Sequence, residues 1–151
     1  MGPQQGGRAG RRGPGARVGV VRRLGLHRLP QQVRSYSTTT LAATSVKDTV
    51  AVVNGTVSLR LALMAAGLRA EDEVIVPPYT FFSTASAVIE ANMIPVFADI
   101  DLETFNLDPR AVEAAITLRT RAIIPVHFAG QPADMDAIMK LARKHQFFVL
   151  E

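Results

Sequence analysis

No cysteine occurs in the 151 residues, which excludes disulfides, thiolate metal sites and a cysteine nucleophile together. Histidine is scarce, and His27, His127 and His145 lie too far apart for metal-ligand spacing. No apolar run approaches the length that crosses a bilayer, so no membrane partner is expected. Acid is missing from residues 1–46, where eight arginines stand among eight of the 11 glycines. The remaining nine of the 17 bases face all 13 acids from Lys47 onward, so the net charge of +4 averages two segments of opposite sign.

Residues 1–46 hold too much Gly, Pro and Arg to bury a core, and a disordered leader is expected there. Three roles compete for it. Arg-Gly tails bind nucleic acid through phosphate attraction, but the opening MGPQQGGRAGRRGPGARVG carries no aromatic residue for base stacking. An acid-free, Arg-rich stretch running into VRSYSTTT suits a mitochondrial presequence. Its glycines oppose helix formation, and the arginines scatter among Val and Leu on a helical wheel. The third reading is an extension without function. A cytoplasmic protein is expected, or a mitochondrial one if the leader is a presequence.

From residue 47 to 151 the sequence reads as one folded unit, with short apolar runs alternating with helical periodicity. The expected strands are Val50–Val53, Glu73–Pro77, Ile94–Ile100, Ala122–Val126 and Phe147–Leu150. Helices are expected between them, over GTVSLRLALMAAG, TFFSTASAVIEAN, PRAVEAAI and ADMDAIMKLARKH. Gly67 suits a left-handed helix end. Asp108 is placed to cap a helix that opens on Pro109, where the missing N–H costs nothing. Strands apolar on both faces predict an α/β fold, a mainly parallel sheet between two helical layers. Right-handed crossovers then gather the strand-to-helix turns on one edge, where a binding site is expected.

Four turns on that edge carry candidate chemistry. Asn54-Gly55-Thr56 opens a helix, and free N–H groups, the helix dipole and a Thr hydroxyl suit an anion. The same residues also suit an ordinary capped turn, and the motif is neither GxGxxG nor a P-loop. Pro77-Pro78-Tyr79-Thr80-Phe81-Phe82 ends a strand and places an aromatic ring where a planar ligand can stack. The residues alone favour packing of Phe81 and Phe82 between helix and sheet. Asp99 and Asp101 point the same way, but no third ligand accompanies them, and Asp101 is expected to cap the next turn. His127 lacks a nucleophile or orienting partner nearby in sequence, and a structural, hydrogen-bonded role is expected.

Taken in order, NGTVSLRLAL, EDEVIVPPYTFFSTASAV, IPVFADIDLETFNLDP and AAITLRTRAIIPVHFAGQPADMDAI resemble the DegT/DnrJ/StrS family of sugar aminotransferases. The resemblance runs from about Val50 to Glu151, roughly two-thirds of the chain. It implies the large domain of a pyridoxal-phosphate-dependent transferase with the aspartate-aminotransferase fold. Gly55 and Thr56 match the loop that holds the cofactor phosphate, and Phe81 matches the position that stacks on the pyridine ring. The implied cofactor is pyridoxal 5'-phosphate, and the implied reaction moves an amino group from glutamate to a nucleotide-linked keto-sugar. A homodimer is implied as well.

Two implied partners of the cofactor are expected outside the chain. The family's pyridine-nitrogen aspartate would fall one residue beyond Glu151, and the lysine that forms a Schiff base lies further on. Lys47, Lys140 and Lys144 match neither position, and Lys140 and Lys144 read as a solvated helix face. The large domain is therefore expected to be incomplete, with Val50–Val53 lacking its family partner strand and the chain alone inactive and poorly soluble. A non-catalytic binding or regulatory module, and a dehydratase relative with histidine in place of the lysine, are the alternative readings.

Overall fold

The computed structural model describes residues 52–151. The leader, and Val50 and Ala51 of the first expected strand, lie outside the described residues. Four strands form one parallel sheet, β1 (Glu73–Val76), β2 (Ile94–Phe97), β3 (Thr120–Ile123) and β4 (Phe148–Val149), in the order β2-β1-β3-β4. Four α-helices accompany them, α1 (Gly55–Ala65), α2 (Ser83–Glu90), α3 (Pro109–Ala114) and α4 (Met135–His145).

The alternation of side chains along each strand divides the core in two. Val74, Val76, Ala122 and Ile124 join Leu63 of α1 and Val88 of α2 on one face. Ile75, Ile123 and Val149 join Val112 of α3 and Ile138, Leu141 and Ala142 of α4 on the other. The expected three-layer arrangement is thereby realised. Each fully buried Leu, Ile or Val contributes about 1.5–3 kcal/mol by leaving water.

Local chemistry sets the helix ends. Asn54, Asp108 and Asp134 each turn a side-chain oxygen onto a first-turn amide, those of Val57, Arg110 and Ala137, at 3.0, 2.8 and 3.0 Å. Gly67 follows α1 with φ +82, as its position in the sequence predicts. α4 ends at Gln146, whose φ of 59° lies in the left-handed region, and the Phe147 N–H turns back to the Ala142 carbonyl at 2.9 Å.

The strands depart from expectation at their ends. Val52 and Val53 form no strand, and Val53 is 86 % exposed. A strand needs a neighbour for its backbone groups, and none of the four described strands lies beside this segment. β2 stops at Phe97, before the expected Ile100, which instead makes an antiparallel bridge to Leu107 across a turn. β3 lies earlier than expected, because Thr120 pairs with Glu73 while Pro125 has no N–H to donate. β2 is an edge strand containing Pro95. Ile94 and Ala98 direct their N–H groups inward to Asp72 and Val76, so the missing donor of Pro95 falls on the outer side.

At the other end of the strands, buried Glu73 ties β1 to β3. Arg119 donates through Nε at 2.9 Å and Nη2 at 2.6 Å to Oε1, and the Thr117 hydroxyl donates to Oε2. The Thr117 hydroxyl and the Arg119 guanidinium hold the Glu73 carboxyl below its ordinary value, against the burial that would raise it. A lowered folded value stabilises the protein above the unfolded pKa, and that stabilisation is lost as pH falls through the folded value. Arg119 is itself largely exposed, which limits the size of the effect. Glu73→Gln is expected to cost about 1–2 kcal/mol at pH 7 in urea denaturation, with the difference from the unsubstituted chain closing under acid. Gln146→Gly is expected to stabilise by about 1 kcal/mol, since glycine adopts the left-handed region without a Cβ clash.

Candidate functional site

The order of the strands locates the crevice. The chain steps from β1 outward to β2, then returns past β1 to β3 and β4. The direction of winding therefore reverses between β1 and β3, and a ligand crevice forms beyond the carboxyl ends of strands at such a reversal. The segments leaving β1 and β3 there, residues 77–82 and 124–133, contain no Asp, Glu, Lys or Arg.

Gly55 is exposed and Thr56 half-buried at the start of α1. Asn54 occupies the Val57 amide, and the amides of Gly55 and Thr56 precede the first intrahelical bond, where no helical carbonyl is available to them. A Cβ at Gly55 would meet nothing within 4 Å among the described residues, so no described side chain packs over it. An oxyanion such as a phosphate monoester fits this arrangement through backbone N–H groups, the Thr56 hydroxyl and the dipole of an 11-residue helix.

Phe81 and Phe82 are 68 % and 71 % exposed, with ring centroids 4.4 Å apart. The expectation from the residues alone, that both pack between helix and sheet, is wrong. α2 begins only at Ser83, and the turn ahead of it carries both rings outward. An exposed phenyl ring there is available to stack on a flat ligand.

Asp101 and His127 take the structural roles expected of them. Asp101 Oδ1 accepts from the amides of Glu103 and Thr104, at 3.0 and 2.9 Å, and from the Thr104 hydroxyl at 3.1 Å. Those amides, with the hydroxyl, hold its carboxyl below the ordinary value. Asp99 accepts from the adjacent Ile100 amide. His127 Nδ1 accepts from the Ala133 N–H at 3.0 Å. That bond places the imidazole proton on Nε2 of an exposed ring.

A second aromatic group, for which no role was expected, stands at the crevice itself. Tyr79, after β1, lies 4.9 Å from Phe128, after β3, and 5.7 Å from Phe105, with Phe105 and Phe128 5.9 Å apart. Buried Asn106 holds the group in place. Its amide donates to the carbonyls of Gln131 and Pro132 at 3.1 and 3.2 Å, and its oxygen accepts from the Phe128 N–H at 2.9 Å. The one available signal was the position of an aromatic residue soon after each of two strand exits. Asn106 gave no signal, because its partners lie 22 to 26 residues away.

Comparison with known proteins identifies the lineage of this site. The family model of DegT/DnrJ/EryC1/StrS aminotransferases matches residues 20–151. The chain belongs to that family. An aminotransferase of Streptoalloteichus tenebrarius described as a putative L-glutamine:3-amino-2,3-dideoxy-scyllo-inosose aminotransferase is 57 % identical over 102 residues, covering 68 % of this chain and 24 % of the relative. The spore coat polysaccharide biosynthesis protein SpsC of Bacillus subtilis is 49 % identical over 120 residues, covering 80 % of this chain and 31 % of its own. Among solved structures, NtdA of Bacillus subtilis with bound cofactor PMP matches with a TM-score of 0.75 at 31 % identity, over 80 % of this chain and 28 % of that one. The chain thus spans about a quarter to a third of the length of these relatives.

The DegT/DnrJ/EryC1/StrS match begins at residue 20, inside the Arg-rich stretch and well before Val50, where the resemblance was read to start. Its fold is the expected one, the α/β large domain of a pyridoxal-phosphate-dependent transferase, of which this chain forms a part. Lys144 pairs with Glu113 at 2.9 Å between α4 and α3, and Lys140 is exposed, as a solvated helix face requires. Asn106→Ala leaves the part-buried Phe128 N–H and the carbonyls of Gln131 and Pro132 without their partner. It is expected to cost about 2–4 kcal/mol in chemical denaturation, and to shift the NMR resonances of Tyr79 and Phe128 while leaving those of α2 in place.

Proposed function

We propose that this chain provides the phosphate-holding and ring-stacking part of a pyridoxal-phosphate-dependent sugar aminotransferase. The observation that carries the reading is the pairing of a backbone-built anion site at Gly55–Thr56 with an outward-facing Phe81. The Gly55 and Thr56 amides, with the Thr56 hydroxyl, would hold the phosphate. Phe81 would cover one face of the pyridine ring and exclude water from it. When bound, the cofactor supplies an electron sink for the carbon whose amino group is exchanged. No lysine of this chain is assigned a role in that chemistry.

The amino acceptor in this reading is a keto-sugar carried on a nucleotide, and the amino donor is glutamate. The names of relatives support the acceptor class, among them GDP-perosamine synthase of Caulobacter vibrioides and a UDP-N-acetyl-3-dehydro-alpha-D-glucosamine 3-aminotransferase of Acidithiobacillus ferrooxidans. The Streptoalloteichus relative names glutamine as donor, so isotope-labelled glutamate and glutamine offered in competition to the whole enzyme decide between the two.

Binding tests this chain directly. Pyridoxamine 5'-phosphate is the suitable probe, because without an aldehyde it cannot label surface lysines. The expected result is saturable binding, weakened about tenfold by Phe81→Ala through loss of stacking and weakened by Thr56→Val through loss of the hydroxyl donor. Equal binding to all three chains would defeat the reading.

A further inference from the structure

We propose that Tyr79, Phe105 and Phe128 form a subsite for the polyhydroxylated six-membered ring of the amino acceptor, with Tyr79 as the stacking wall. The proposal rests on the aminotransferase reading for the existence of an acceptor, and adds where its ring is held. Four observations carry it. The trio stands where the winding of the sheet reverses, between the exits of β1 and β3. Tyr79 is 51 % and Phe105 43 % exposed, and the rings meet at 39° to 48°. They form an angled wall open to solvent and not a closed core.

Two of the five non-glycine residues with positive φ among the described residues lie in the same place. Phe105 has φ 58° and Ala129 φ 49°, a region costly for residues with a Cβ. Such strain persists only where surrounding structure imposes it, and it gathers at ligand sites. Buried Asn106, next to Phe105, ties its loop to the other, accepting from the Phe128 N–H and donating to the carbonyls of Gln131 and Pro132.

The chemistry of the ligand follows from charge. Residues 77–82 and 124–133, which carry Tyr79 and Phe128, include no acid, lysine or arginine, and the loop that carries Phe105 holds Asp101, engaged by its own turn, and exposed Glu103, so none of the three segments supplies a cation for an anionic group. A neutral ring suits these segments. The axial C–H face of a saturated six-membered ring is apolar and packs against an aromatic face, while its rim of hydroxyls seeks hydrogen bonds. His127 supplies one at the same loop, because the Ala133 amide occupies Nδ1 and leaves Nε2–H as a donor. Sugars and cyclitols share this chemistry, and relatives named for both classes exist.

The test uses the full 151-residue chain with two probes, methyl glucoside and myo-inositol, observed by saturation-transfer NMR. Tyr36 and Tyr79 are the only tyrosines and tryptophan is absent, so Tyr36→Phe makes Tyr79 the sole tyrosine for intermolecular NOE measurements. Contacts are expected from the C–H protons of a probe to the Tyr79 ring. Tyr79→Ala is expected to weaken binding about threefold to tenfold and Tyr79→Phe to leave it intact. Signal from methyl glucoside alone assigns the subsite to sugars, and signal from myo-inositol alone assigns it to cyclitols. No NOE to Tyr79, or binding unchanged by Tyr79→Ala in a chain with native amide dispersion, overturns the proposal. Pyridoxamine 5'-phosphate is titrated in parallel. Its binding without ring contacts at Tyr79 defeats the subsite alone, and ring contacts without its binding defeat the cofactor reading alone.

Discussion

The central strands β1 and β3 bury side chains on both faces and leave the polypeptide few places to expose a functional group. Every strand must be followed by a crossover before the next can pair in the same direction. All four strands therefore exit at one edge, and their exits are the positions freed from packing. Phe81, Tyr79, Phe128 and His127 all occupy such exits. The core decides where these residues stand, and the exit turns decide what they present.

The two ends of the sheet solve opposite problems. At the amino ends of β1 and β3, Glu73 is buried with Arg119 and Thr117, while Arg121 approaches Asp72 at 4.0 Å. Charge is present there and is paired, as a structural junction demands. At the carboxyl ends, residues 77–82 and 124–133 carry no full charge. The polar groups that shape that end are internally engaged, with Asn106 binding from one loop to another, His127 Nδ1 closing its own and the Asp101 carboxylate held by its own turn. With no charge on those two segments, an anion there would fall to the α1 amides, which need no desolvated lysine or arginine to receive it.

Sequence periodicity made the layered fold legible because burial on both strand faces produces short, continuous apolar runs. Asp108-Pro109 marked a helix start through bonding confined to neighbours, and Gly67 a left-handed end for the same reason. Val52 and Val53 misled because an apolar run states a preference for burial but cannot supply the strand beside it. Phe81 and Phe82 misled in the opposite direction. Their composition says core, while their place after Pro77-Pro78, ahead of the first turn of α2, sends them into solvent. Asn106 was invisible, since its bonds close a gap in space that is wide in sequence.

The same reasoning separates motif from geometry at the candidate site. Gly55-Thr56 alone is compatible with any capped helix, and resemblance to sugar aminotransferases gave it a meaning that its local chemistry could not. The aromatic trio shows the reverse relation. No short motif joins residues 79, 105 and 128, yet the reversal of winding between β1 and β3 brings them within 6 Å of one another. All three side-chain bonds of Asn106 run from its own loop to residues 128, 131 and 132, so neither loop can shift against the other without breaking them. That mutual constraint fixes the spacing of the rings, and a wall of fixed spacing can discriminate among ring shapes where a mobile one would only attract them.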